Sequence, residues 1–199
     1  MLPICVVNNY GQFNHLIHRS LRDLDIEVSM VPNSTPPSQM SEECRGIILG
    51  GGPTLERAGN CSRYLDLGLP VLGICLGLHI IAARFGGEVH QGARGGYGPV
   101  EVEICEHNDI LAGYPEKISV WASHADEVFK IPEGFICLAR SAICGAEAVL
   151  KRPDHPVGLV YAALELKHRV HHVLQHLGPG YRSCLSHMAH HYRGHPGRL

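Results

Sequence analysis

Residues 70–77 read Pro70-Val71-Leu72-Gly73-Ile74-Cys75-Leu76-Gly77, and the fold is decided by how this stretch is taken. The apolar run Val71–Ile74 after Pro70 predicts a buried strand. Leu76–Phe85 predicts a helix closed by Gly86-Gly87, a C-cap sequence. A strand therefore breaks sharply into a helix with Cys75 at the corner. The glycines of G-x-C-x-G permit the strained strand-to-helix turn of a nucleophile elbow, where bulkier side chains would collide with neighbouring backbone. Such a turn exposes the sulfur, and the partial positive charge at the helix N-terminus favours thiolate over thiol. A buried cysteine between two packing glycines is the reading that the motif alone leaves open.

Outward from this corner the chain alternates between short apolar runs and helical patterns. Ile4–Val7 predicts a strand, and Phe13, Leu16, Ile17, Leu21 and Leu24 recur at the spacing of an amphipathic helix. Ile26–Val31 predicts a second strand, 32–38 a Pro/Ser-rich loop, and Gly46–Leu49 a third strand running into Gly50-Gly51-Gly52-Pro53. This is the pattern of an α/β fold with a mostly parallel central sheet flanked by helices. Beyond Glu88 the runs Val100–Ile104, Ile118–Trp121, Phe135–Ala139 and Ala146–Leu150 predict a small additional antiparallel or mixed β layer.

Sites in open α/β sheets form beyond the carboxyl ends of the strands, so Gly50–Pro53 and Cys75 should face one crevice. Backbone N–H groups of the glycine run can point at a developing oxyanion, with the Leu76 N–H as second donor. A plain tight turn and a phosphate cradle are the alternatives, the latter disfavoured because no Gly-Lys-Ser/Thr follows.

Composition narrows the partners. With 199 residues, 45% hydrophobic and 18% charged, the chain can bury one sizeable core. A formal net charge of −2 and a pI near 6.7 leave no electrostatic footprint for nucleic acid. No stretch approaches a membrane span, and Met1–Val7 lacks the basic and polar regions of a signal peptide, so a cytoplasmic location is expected. The eight cysteines show no CxxC pair or zinc spacing, and apart from Cys75 each reads as a small buried hydrophobe in a reducing compartment.

Several motifs taken together carry a resemblance. Gly46-Ile-Ile-Leu-Gly-Gly-Gly-Pro53, Pro70–Gly77, Tyr97-Gly98 and Trp121-Ala-Ser-His-Ala-Asp-Glu-Val128, in this order, resemble the class I (triad) glutamine amidotransferase family. Asn9–Leu21 is similar to the separate amidotransferase subunits of archaeal-type GMP synthetases. The resemblance runs from about residue 2 to about 157 and implies a flavodoxin-like fold, with an amidotransferase domain over 1–165 and an atypical tail over 166–199. It also implies hydrolysis of the glutamine side-chain amide by Cys75. Gly51, Gly52 and Leu76 would shape the amide and oxyanion pocket, Ser123 and His124 would hold the amino-acid end of glutamine, and Asp126 would be an interface or positioning residue. Ammonia would pass to a partner ATP pyrophosphatase (synthetase) subunit that aminates XMP to GMP. ATP and Mg would bind that partner, with no cofactor or metal in this chain.

Two departures stand out. Where the family reads Gly-His-Gln after the nucleophile, this chain has Gly77-Leu78-His79, so His79 replaces a glutamine that touches substrate. Where the family places His-Pro-Glu, the expected base and orienter fall on Ala162 and Leu164, neither of which moves a proton. His168 with Glu165 is the nearest substitute pair, although a three-residue spacing fits a helix face better than a strand end. From Leu166 to Leu199 the chain has no Asp or Glu yet holds eight of its fifteen histidines. That composition suggests a locally frame-shifted stretch, which sequencing of the source DNA would test. A solvated tail is the plainer reading of those histidines, and adventitious metal at His171, His172, His176, His190 and His191 the other. The sequence thus supports an ammonia-generating subunit first. A catalytically dead module that docks on a synthetase comes second, and another cysteine hydrolase on the same scaffold third.

Overall fold

The computed structural model describes residues 2–107, 111, 113–151 and 160–163, and for 93–97 and 160–163 it describes the backbone only. Strands β1 (Ile4–Asn8), β2 (Val28–Pro32), β3 (Gly46–Leu49) and β4 (Val71–Ile74) are parallel, in the order β2-β1-β3-β4. β9 (Val160–Ala163) adds in parallel to β4 and pairs on its other side with antiparallel β8 (Ala148–Lys151). The ladder continues through β7 (Phe135–Ser141), β5 (Glu88–Ile104) and edge strand β6 (Lys117–Lys130), so the antiparallel strands extend the parallel sheet through β9. Among the described residues no helix is long and apolar enough to cross a membrane.

Successive strand residues face opposite sides of a sheet, and the core divides accordingly. Ile4, Val6, Ile48 and Leu72 pack with Ile17 and Leu21 of α1 (Asn14–Asp23). Val7, Ile47, Leu49 and Val71 pack on the other side with Leu78 and Ile81 of α4 (Leu76–Arg84), helped by α2 (Pro37–Glu43) and α3 (Cys61–Tyr64). Covering both faces explains why β1 and β3 read as unbroken apolar runs.

Three expectations change. The loop assigned to 32–38 already contains the first turn of α2, which starts at Pro37 with the fixed φ that suits a first helical position. β5 and β6 are far longer than their apolar runs, because β6 has one largely exposed face and its polar and charged residues break the hydrophobic signal. Ser123, His124 and Asp126 consequently lie inside β6, paired with β5. Finally, Cys5 and Cys44 are not free thiols. Parallel pairing of Ile4 with Gly46 brings the residue after α2 beside β1, and the two cysteines form a buried disulfide with Cα atoms 5.8 Å apart.

Candidate active site

Cys75 occupies the corner between β4 and α4 with φ 57° and ψ −111°, a left-handed conformation that a non-glycine residue adopts at a cost of order 1–3 kcal/mol. Its carbonyl accepts the first helical hydrogen bonds, from the N–H of Leu78 at 2.9 Å and of His79 at 3.4 Å. The flanking glycines are required by contact. A Cβ on Gly73 would lie 2.5 Å from the Gly77 carbonyl, and one on Gly77 would lie 2.2 Å from the Leu49 carbonyl oxygen. The elbow is thus closed by backbone on both sides.

The glycine turn after β3 lies across from the sulfur. A Cβ at Gly51 would sit 3.8 Å from Cys75 Sγ, in ordinary contact, so the turn borders the thiol directly. Asparagines fix its peptide planes. Asn9 Nδ2 donates to the Gly50 carbonyl at 3.1 Å, and Asn14 Nδ2 donates to the Gly51 carbonyl and to Asn8 Oδ1, each at 3.1 Å. In a trans peptide the next N–H points opposite the carbonyl, so the N–H groups of Gly51 and Gly52 point away from these asparagines. Leu76, 3% exposed, begins α4, where the first N–H groups have no intrahelical acceptor.

A cavity of about 400 Å³ opens over this junction, lined by Tyr10, Phe13, Gly51, Gly52, Cys75 and Ser123 among others. It is within the range of small-ligand sites. Of the residues singled out from sequence, Cys75, Gly51, Gly52 and Ser123 thus come together around one space.

His79 and His124 do not line that cavity. They are 3% and 7% exposed, on α4 and β6, and the Nε2 of each is buried without a hydrogen-bond partner. Nδ1 of His124 lies 2.9 Å from the Asp126 carbonyl oxygen. Burial pushes the His79 imidazole down to about 4, with the Asp126 carboxylate acting against this and His124 adding to it, so His79 is neutral at pH 7. The His79 ring expected to meet substrate is buried and is not among the residues that line the cavity. Glu147, whose carboxyl is raised by burial and accepts a hydrogen bond from the Ser141 hydroxyl, lies within electrostatic reach of His124.

The strand beside the elbow does not supply the base expected there. Ala162 pairs with Gly73 and Ala163 with Ile74, so the strand beside the elbow carries Val160-Tyr161-Ala162-Ala163 and no imidazole. Leu164, Glu165, His168 and the tail histidines lie outside the described residues. Among the described residues no group of three or more His, Cys, Asp or Glu could hold a metal ion. Sequence reasoning assigned no role to Asn8, Asn9 and Asn14, which orient the glycine turn. The signal was their clustering around Gly11, which approaches Gly51 so closely that a Cβ there would lie 2.3 Å from the Gly51 oxygen.

Comparison with known proteins gives a consistent pattern. The sequence pattern of the glutamine amidotransferase class-I family matches residues 5–159. The chain is 70% identical over 149 residues to a glutamine-hydrolysing GMP synthase subunit of Methanoregula boonei, covering 75% of this chain and 81% of the relative. It is 61% identical over 170 residues to the protein of the same name from Methanoculleus marisnigri, covering 85% and 92%. A crystal structure of a candidate GMP synthase subunit from Thermoplasma acidophilum superposes with TM-score 0.76 at 30% identity, over 97% of this chain and 96% of that one. A glutamine amidotransferase from Thermotoga maritima, at 15% identity and TM-score 0.67 over 98% and 86%, shares the fold.

Proposed function

Because this chain belongs to the class-I glutamine amidotransferase family, we infer that it is the glutamine-hydrolysing subunit of a GMP synthase, releasing ammonia from glutamine for a separate synthetase subunit. The observation that carries the reading is the strained Cys75 elbow bordered by the Gly50–Gly52 turn at the floor of one cavity. The chemistry proceeds in two halves. The Cys75 thiolate adds to the side-chain amide carbon of glutamine, and the resulting oxyanion is held by N–H groups of Gly51, Gly52 and Leu76. Collapse breaks the C–N bond as the amide nitrogen takes up a proton and leaves as neutral ammonia, and a glutamyl thioester remains. Water then cleaves the thioester, giving glutamate and the free thiol. Ser123 would meet the amino-acid end of the substrate. The partner, an ATP pyrophosphatase holding ATP and Mg, would use the ammonia to aminate XMP to GMP.

A second reading is favoured by one observation, the absence of an imidazole on the strand beside the elbow. On that reading the chain keeps the fold and docks on the synthetase without turning over. Glutamate release by the purified protein, with and without its synthetase subunit, separates the two when compared with Cys75→Ala. Release above the Ala variant in either setting supports hydrolysis, even at about 10⁴-fold below a complete triad, the usual effect of losing such a base. Release equal to Cys75→Ala in both settings leaves only the docking module.

A further inference from the structure

Two free thiols meet in the antiparallel part of the sheet. Cys105, exposed, directly follows β5, and Cys137, half-buried, lies within β7. A bulge brings them to one face. β7 pairs with β8 as Cys137 with Val149 and Ala139 with Ala148, so Leu138 is an extra residue. Leu138 and Ala139, 0% and 2% exposed, are both buried in the same core cluster. The alternation of faces is thereby broken, and Cys137 falls on the opposite side from that cluster, with Arg140. Ile104, packed in the cluster, pairs with Ala139, and Glu103 pairs with Arg140, so Cys105 shares the side of Glu103 and Arg140. The N–H groups of Cys105 and Glu106 both donate to the Leu138 carbonyl, at 2.8 and 3.2 Å, which holds Cys105 beside the bulge. There the two thiols are in hydrogen-bond contact.

The pair is chemically asymmetric. Burial pushes the Cys137 thiol up, and so do charge on Cys105 and the hydrogen bond given to it. The Cys137 S–H can also turn to the carbonyl oxygens of Ala139 and Gly145, at 3.3 and 3.5 Å, so in each arrangement the proton stays on Cys137. The Arg140 guanidinium, gripped by the Glu103 carboxylate at 3.0 and 3.2 Å, lies within electrostatic reach of both sulfurs. An accessible sulfur beside a cation and a second thiol is the setting in which cysteines exchange with disulfides.

We propose that Cys105 and Cys137 form a dithiol site that reacts with low-molecular-weight disulfides and closes into a reversible second disulfide of the chain. Cys105, the accessible member, attacks as thiolate one sulfur of the small disulfide RSSR; that S–S bond breaks, and RS⁻ leaves and takes up a proton from water. Cys137 then gives up its proton as its sulfur attacks the Cys105 sulfur. The mixed disulfide breaks, and the second RS⁻ leaves with that proton. The protein dithiol is oxidised by two electrons and RSSR is reduced to two RSH. Facing residues of antiparallel strands have Cα atoms about 4.5–5.5 Å apart, inside the span a disulfide requires. Unlike the buried Cys5–Cys44 bond, this one forms at the surface, where small thiols can open it again. It clasps the intervening segment, which carries β6 and cavity-lining Ser123.

The full chain, incubated with glutathione disulfide, alkylated with iodoacetamide and digested without reductant, should yield the Cys105 and Cys137 peptides joined. Cys137→Ser should retain glutathione on Cys105, because no second thiol resolves the mixed disulfide. Cys105→Ser should slow oxidation of Cys137 at least tenfold. The joined pair is expected in Cys75→Ala as well, so this site and the glutamine chemistry stand or fall separately. The proposal is overturned if glutathione stays on Cys105 of the parent chain while Cys137 is alkylated, if Cys137 is found bonded to another cysteine, or if both thiols are alkylated in full.

Discussion

At the scale of single residues, the glycines around the nucleophile make two different demands. Gly77 is confined by backbone, since a Cβ would lie 2.2 Å from the Leu49 oxygen, whereas a Cβ at Gly51 would meet Cys75 Sγ at an ordinary 3.8 Å. Gly77→Ala is therefore expected to lower unfolding stability by about 3 kcal/mol in urea titration, the scale of overpacking a closed site. Gly51→Ala should stay within about 1 kcal/mol of the parent yet slow alkylation of Cys75 by crowding the sulfur. The buried imidazole of His79 gives a pH signature. Its folded value of about 4 lies below its ordinary 6.5, so the unfolded chain binds a proton first as pH falls. Stability attached to this group is complete above pH 6.5 and is lost progressively toward pH 4, by up to about 3 kcal/mol. His79→Gln should flatten the stability profile across that window, and a profile as steep as the parent's would place the titration elsewhere.

Among elements, what could be read from the sequence depended on burial. β1, β3 and β4 were legible because a parallel strand covered on both faces is a plain apolar run, α1 because its periodicity is local, and α4 because its Gly86 cap is. β5 and β6 were only partly legible, since a strand exposed on one face spreads its signal among charged residues. The Cys5–Cys44 disulfide was hidden for another reason. It depends on the register between β1 and β3, and no local spacing encodes a pairing across 39 residues. Closing a loop of that length stabilises a fold by roughly 4 kcal/mol in the chain-entropy description. Reduction, or Cys44→Ser, should accordingly lower the urea midpoint, while Cys105→Ser, at an exposed free thiol, should not. Equal midpoints with and without reductant would show that this tie contributes nothing.

For the whole molecule, the sheet order puts the ends of β3 and β4 side by side and lays α1 against them, so that one crevice collects the glycine turn, the elbow and Ser123. The elbow and the turn could be foreseen because G-x-C-x-G and Gly-Gly-Gly-Pro are local backbone requirements. The inward placement of His79 and His124 could not, because it follows from how α4 meets β6 across the sheet. The central claim is that Cys75 is a thiol presented by a strained corner to a cavity of about 400 Å³ that admits glutamine. Incubation of the full chain with a thiol-directed glutamine analogue, followed by peptide mass spectrometry, tests it most directly. The account predicts a single adduct on Cys75, slowed by free glutamine and absent in Cys75→Ala. Adducts spread over the exposed Cys105 and the other free thiols, with Cys75 unmodified and glutamine without effect, would contradict it.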